Sequence, residues 1–344
     1  MPKTFTGLWD RTISFENLFN AYSTAKKGHR DSLEVLRFEH DLEENLINLQ
    51  NHLIWHSWKP DPYREFIVYE PKKRLIQAPT FRDRVVHHAY YQIVGPLFES
   101  KMITHTYACI EGRGPLKAAH KVQEYLRSYP KDKRLYLIYG DMKGYFPSID
   151  HTYLKAQVRR TISDCDMLWL SDALIDTNGE DKGLGIGALP SQLFAGVNLT
   201  PFDHYMKDDL GIKQYVRYMD DWVVISDDLE YLKHILFLGT QYLTKEAKLV
   251  VNPKTRIIPI THGIDYCGYR IFREYMKPRK RNLRRAKARL IDLAAQCNRG
   301  EIPITKVQES VNSLVAYASH CRAHRSVESI LSAVIITGGQ NAAR

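Results

Sequence analysis

The chain has 344 residues and a mass of 40.0 kDa, long enough for two or three packed subdomains, and its 44% hydrophobic and 26% charged residues exclude wholesale disorder. Forty-nine Lys and Arg against 39 Asp and Glu give a formal +10 and a pI near 9.2, which favours a polyanionic partner. Five widely spaced cysteines with no C-x-x-C pair argue against a disulfide framework and a zinc site. Together with an N-terminus unlike a signal peptide and the lack of any apolar run of transmembrane length, they lead us to expect a soluble cytoplasmic protein with no membrane partner.

From Ser14 to about Ser57 the pattern is helical, with Leu33, Leu36, Leu42, Leu46 and Leu49 at mostly three- and four-residue intervals. Tyr63 to Tyr69 reads as a strand, Glu70-Pro71-Lys72-Lys73-Arg74 as a basic turn and Leu75-Ile76 as a short strand. Asp83 to Phe98 is helical and is expected to kink or break near Gly95-Pro96. The apolar run Leu135–Tyr139 ends at Gly140-Asp141, so a buried strand delivers a carboxylate to its C-terminal end. Ser191 to Tyr205 follows a Gly- and Pro-bearing loop as a helix. Tyr215–Tyr218 and Trp222–Ile225, separated only by Met219-Asp220-Asp221, form a hairpin signature. Between Arg273 and Arg289 stand nine Lys or Arg and one acid, Glu274, on a helix whose apolar face is Leu283, Ala286, Leu290 and Leu293. Asn298-Arg299-Gly300 should end it, and Thr305-x-x-Gln308 resembles a capping box opening a second helix with Val307, Val311 and Leu314 inward.

Adjacent acids at a hairpin tip repel one another and are costly to desolvate unless a cation lies beside them. An Asp-Asp dipeptide alone is more often a solvated turn than a metal site, but Trp222-Val223-Val224-Ile225 is too apolar for a surface loop and sets these acids on the rim of a core. Asp141, Asp220 and Asp221 would together supply three hard carboxylates if their strands share a sheet. That set suits two Mg²⁺ ions, with Mn²⁺ as a substitute, in nucleotidyl transfer.

Tyr218-Met219-Asp220-Asp221 resembles the Y-x-D-D signature of reverse transcriptases, and the run Tyr139–Asp150 resembles their motif A. The resemblance covers nearly the whole chain in the family's order. It implies an α+β right-hand polymerase fold: a helical extension over 1–60, fingers over 61–134, a palm of antiparallel sheet and helices over 135–270, and a basic helical thumb over 271–344. It further implies that Asp141, Asp220 and Asp221 bind metal and that Lys72 and Arg74, in a K-x-R pattern, grip the triphosphate. Phe146 matches the aromatic gate that excludes a ribose 2′-hydroxyl, the alternative being a core aromatic beside Pro147. Asn252-Pro253-Lys254-Thr255 resembles the motif after the catalytic hairpin, and Tyr266-Cys267-Gly268-Tyr269 the primer grip. Primer and template contacts are thereby implied for Tyr218, Lys254, Tyr266, Gly268 and Tyr269, and for Lys277, Arg281, Arg284 and Arg285 on the thumb. Asp83-Arg84 also matches a family pattern, with a structural ion pair as the expected role. His87-His88 is given no catalytic role.

Where most reverse transcriptases read Q-G-x-x-x-S-P, this chain reads Ile186-Gly187-Ala188-Leu189-Pro190-Ser191-Gln192. That sequence resembles the reverse transcriptases of diversity-generating retroelements in phages and bacteria. Nucleotide contacts are implied for Ile186, Gly187 and Gln192, as are a template RNA, an RNA/DNA hybrid, dNTPs and a small basic helical accessory protein that forms an oligomer. An isoleucine in place of an amide removes a directional contact, so lower fidelity is expected; that the errors fall opposite template adenines is what the resemblance implies. Two other readings compete: a phage-defence or retron-like reverse transcriptase, and an inactive polymerase fold kept as an RNA-binding scaffold. The intact acids argue against the second. No Walker A sequence occurs, which excludes an ATP-driven motor of that type.

Overall fold

The structure, a computed structural model, describes residues 4–69, 72–179 and 181–337. Glu70 and Pro71 of the expected basic turn, and the last seven residues of the expected thumb, lie outside the described residues. The chain divides into two compact units interleaved in sequence. The first takes residues up to Arg113, Ile138–Val224 and Lys233–Arg256; the second takes Gly114–Leu137, Ile225–Leu232 and the chain from Ile257 onward.

In the first unit the helical N-terminal region is not one run but four pieces, α1 (Trp9–Ile13), α2 (Phe15–Ala25), α3 (Leu33–His40) and α4 (Leu42–Ile54). Ser14 and Ser32 cap α2 and α3, each side chain accepting a backbone N–H three residues on. Leu46 and Leu49 are buried as the spacing predicts, whereas Leu33 and Leu36 are 69% and 49% exposed because α3 turns Val35 and Phe38 inward instead. A two-stranded antiparallel hairpin, β1 (Arg64–Val68) and β2 (Arg74–Ala78), follows in a register that pairs Val68 with Arg74. The next helix, α5 (Phe81–Glu99), runs unbroken through Gly95-Pro96, contrary to the expected stop. Pro96 falls in the last turn, where the missing N–H and the ring cost one hydrogen bond near an end that frays anyway. Val85, Val86, Ala89, Tyr90, Val94 and Phe98 bury one side of α5.

A four-stranded sheet has the order β4–β5–β3–β6, where β3 is Tyr136–Gly140, β4 Tyr215–Tyr218, β5 Asp221–Ser226 and β6 Arg256–Pro259. α7 (Tyr145–Ser148), α8 (His151–Arg159), α9 (Cys165–Ile175) and α10 (Leu189–His204) come between β3 and β4, and α11 (Leu229–Lys245) follows β5. The β3 and β5 interiors are almost wholly buried, as apolar strands covered on both faces must be.

The second unit holds α6 (Pro115–Ser128), the antiparallel sheet β7 (Ile264–Tyr266), β8 (Tyr269–Ile271) and β9 (Met276–Pro278), and three helices. These are α12 (Lys280–Asn298), α13 (Ile304–Ser319) and α14 (His324–Leu331), packed around Leu290, Leu314 and Ile330 with Leu283, Ala286 and Val311 at the margin. The expected capping box does not form: Pro303 is the N-cap of α13, so Thr305 already lies inside the helix and makes no cap bond. Among the described residues no helix is long and apolar enough to cross a membrane.

Candidate active site

Strand β3 ends at Gly140 and hands Asp141 to a segment that holds it on several sides. Asp141 Oδ2 accepts from Asn252 Nδ2 at 2.8 Å, its backbone N–H donates to Thr255 Oγ1 at 3.1 Å, and its carbonyl accepts from Asn252 N at 2.8 Å and the Thr255 hydroxyl at 3.1 Å. Two groups that point their donors at the same acid fix both its backbone and one carboxylate oxygen.

Strands β4 and β5 pair antiparallel with Tyr218 opposite Asp221, so the turn is only Met219-Asp220 and Asp221 already belongs to β5. Met219 has φ 56°, a left-handed conformation costing a non-glycine residue about 1–2 kcal/mol. Arg217 Nη1 donates to the Met219 carbonyl at 2.8 Å and braces the turn from beneath. Asp221 Oδ1 accepts from the Tyr139 hydroxyl at 3.0 Å, so part of that carboxylate is engaged by the neighbouring strand.

Electrostatics tie Asp141 and Asp220 together. Burial pushes both carboxyls above the usual carboxylate range. The negative charge of Asp141 raises Asp220 further, while Arg74 and Lys72 pull it back. Lys72, Lys254 and the Asn252 hydrogen bond oppose the rise at Asp141. The charge of one acid acting on the other, with Lys72 acting on both, places these groups in one electrostatic neighbourhood.

Among the described residues no three Asp, Glu, His or Cys side chains are gathered closely enough to hold a metal ion. The three expected acids are not gathered in that way: Asp141 acts on the Asp220 carboxyl through its charge, and Asp221 accepts from Tyr139. A pair still fits Mg²⁺, which takes one or two carboxylates from a protein and fills its other positions with water or phosphate oxygens.

The other expected residues fall into groups. Lys72 and Arg74 are exposed at the head of β2, and Lys254 is exposed with its backbone N–H on Asn252 Oδ1. Phe146 is half-buried in α7 with its ring edge-on to Tyr145, and its carbonyl accepts from Leu184 N. Ile186 is half-buried, and its carbonyl accepts from Gln77 N at 2.8 Å. Gly187 lies so close to β2 that a Cβ there would meet the Gln77 carbonyl at 2.7 Å, and its φ of 134° also excludes other residues without strain. Gln192 is exposed on α10 and Tyr218 half-buried at the end of β4.

In the second unit Tyr266 is fully buried and Tyr269 is 5% exposed, its ring against Tyr317. Those side chains pack inward, which leaves Cys267 and Gly268 as the partly accessible residues of the expected primer grip; Gly268 has φ 88° and its carbonyl accepts from Tyr317 and Asn282. Lys277, Arg281 and Arg284 are exposed, and Arg285 is partly so. Reasoning on the sequence singled out Lys254 but passed over Asn252 and Thr255, which make the contacts to Asp141. It also passed over Tyr139, whose partner Asp221 is set by strand adjacency, and Arg217, whose partner Asp203 is supplied by α10.

No protein-family model matches the chain. Protein YkfC of Escherichia coli K12 is 26% identical over 289 residues, covering 71% of this chain and 75% of that protein. Nuclear intron maturase 1 of Arabidopsis thaliana mitochondria is 23% identical over 127 residues, covering 33% of this chain and 17% of that protein. Among solved structures, apo telomerase from Candida tropicalis superposes with a TM-score of 0.51 at 12% identity, over 85% of this chain and 63% of that one. This chain thus spans less than two thirds of the telomerase chain it matches. The chain has a fold similar to that of this telomerase, and in it Asp141 follows the end of β3 while Asp220 lies in the turn between β4 and β5.

Proposed function

We propose that the chain is an RNA-directed DNA polymerase that builds cDNA from dNTPs on a template RNA. The observation that carries this reading is the effect of the Asp141 charge on the Asp220 carboxyl, with Lys72 acting on both acids and Arg74 on Asp220. Nothing about RNA binding alone favours clustered carboxylates. Mg²⁺ bound at Asp141 and Asp220 would supply Lewis-acid activation of a primer hydroxyl and neutralise triphosphate charge.

The rest of the work falls to the chain's own residues. Asn252 and Thr255 aim Asp141. Arg74 offers a planar fork from the exposed start of β2, and Lys72, two residues before it, a point charge to the triphosphate. Phe146 stands five residues beyond Asp141 as the candidate ring that excludes a 2′-hydroxyl. Lys277, Arg281, Arg284 and Arg285 present charge that suits phosphate contacts along a template-primer duplex.

The finer reading is a polymerase of a diversity-generating retroelement, error-prone opposite template adenines and acting with a small basic helical accessory oligomer. It is supported by Ile186-Gly187 through Ser191-Gln192 and is tested by sequencing cDNA made on the co-encoded RNA. The polymerase reading itself is tested by Mg²⁺-dependent dNTP incorporation on a primed RNA. Wild type should incorporate and Asp220→Ala should fall to background; equal signal from both would remove the assignment.

A further inference from the structure

Beneath the Met219-Asp220 turn lies an ion pair that the proposed chemistry does not use directly. Asp203, near the end of α10, and Arg217, on β4, are 0% and 1% exposed. Arg217 Nε donates to Asp203 Oδ1 at 2.7 Å and Nη2 to Oδ2 at 2.6 Å, a two-pronged bond. The Tyr215 hydroxyl also donates to Asp203 Oδ1, at 2.6 Å. The remaining guanidinium nitrogen, Nη1, reaches the Met219 carbonyl at 2.8 Å. The backbone of Arg217 is itself held, its N–H on the His105 carbonyl and its carbonyl accepting from Tyr107 N.

We propose that Arg217 is a positioning residue: Asp203 fixes the plane of its guanidinium, and that plane fixes the left-handed turn at Met219 and hence the aim of Asp220 toward Asp141. This rests on the reading of Asp141 and Asp220 as the catalytic pair. An ion pair kept only for stability would be poorly chosen, because apolar residues of similar volume in a buried site commonly do as well or better. Lysine would supply the charge but not the geometry. Only a planar fork can give two N–H groups to one carboxylate and a third to a carbonyl in a different direction.

Three variants separate the roles: Arg217→Lys, which keeps a cation facing Asp203; the apolar double variant Asp203→Leu/Arg217→Met; and Tyr215→Phe, which loosens Asp203 without touching the Met219 contact. Each is measured by thermal melting, by hydrogen exchange of the peptide spanning Met219 to Asp221, and by kcat and KM for dNTP. In Arg217→Lys that peptide should exchange at least about tenfold faster. Its kcat should fall about 10- to 100-fold, the scale of a 1 Å misplacement, with KM held within about twofold because Lys72 and Arg74 are untouched. The double variant should melt at or above wild type without recovering kcat, and Tyr215→Phe should lose melting temperature but keep kcat. Unchanged exchange in Arg217→Lys, or activity that simply follows melting temperature across the three, would overturn the proposal. If the double variant does not fold, Arg217→Lys decides alone. If wild type incorporates no more than Asp220→Ala, the polymerase reading fails, and hydrogen exchange still reports whether Arg217 holds the turn.

Discussion

The indole of Trp222 lies against Gly140 so closely that a Cβ built on that glycine would sit 2.1 Å from Trp222 Cε2. Gly140 immediately precedes Asp141, and Trp222 immediately follows Asp221. The contact between adjacent strands β3 and β5 therefore sets the register of one catalytic candidate against the other. The ring has nowhere to retreat: it is fully buried, edge-on to Phe202 at 5.5 Å and facing Gly239 on α11. Gly140→Ala is thus expected to destabilise the fold by about 3 kcal/mol or more, at the top of the range for overpacking. Trp222→Leu added to Gly140→Ala should recover part of the loss. Urea unfolding midpoints check both, and a wild-type midpoint in Gly140→Ala would mean that the strands move apart freely.

Asn252 donates to the Asp141 carboxylate, a hydrogen bond to an ionised group of the stronger kind. Asn252→Ala should lower kcat for nucleotide incorporation about 10- to 100-fold, the usual scale for a group that orients a metal ligand, while shifting melting temperature little. Asn252→Asp should be worse, because a third negative charge would oppose ionisation of Asp141. Steady-state kinetics on primed RNA decide; an Asn252→Ala enzyme as fast as wild type would show that Thr255 and the backbone suffice.

These contacts show where sequence reasoning succeeds and where it stops. The strand carrying Asp141, the hairpin carrying Asp220 and the helix over 189–204 are legible because apolar runs and a two-residue turn are local signals. Asn252 and Thr255 were within view, in a stretch already noticed, yet their bonds to Asp141 depend on a chain reversal more than 100 residues later that no local period records. Arg217 read as one more basic residue, because its partner Asp203 is fixed by α10 packing beneath the sheet. The capping box at Thr305 and the break at Pro96 failed for a simpler reason: each pattern was real, but Pro303 started one helix earlier and the final turn of α5 tolerates a missing N–H.

Asp220 carries a pH signature. Burial and the charge of Asp141 raise its carboxyl above the unfolded value, near 3.9. A raised acid binds its proton more tightly in the fold, so its contribution to stability is full below about pH 3.9 and is lost as pH climbs through the folded-state value. Without divalent cation, Asp220→Asn should melt a few degrees above wild type at pH 7–8, and the gap should close near pH 4. Adding Mg²⁺ at pH 7.5 should raise the melting temperature of wild type but not of Asp220→Asn, since ligand binding stabilises only the form that binds it. A gap that persists at pH 4 would point to a cause other than ionisation.

Ile186 is held by its own carbonyl on Gln77 N, and Gly187 is pressed against the Gln77 carbonyl. The backbone here is thus fixed to β2, the strand that carries Arg74, whatever side chain stands at 186. Replacing that side chain changes its chemistry without moving the loop. An isoleucine gives only non-directional contact, which discriminates poorly, whereas an amide satisfied by a correctly placed pair would be left unpaired by a wrong one at a cost of about 1–3 kcal/mol. Ile186→Gln should therefore reduce misincorporation opposite template adenine about tenfold, with incorporation of the correct nucleotide altered less. Deep sequencing of cDNA from a defined RNA template measures this directly. An unchanged error spectrum would place the source of infidelity elsewhere, with the exposed Gln192 on α10 as the next position to exchange.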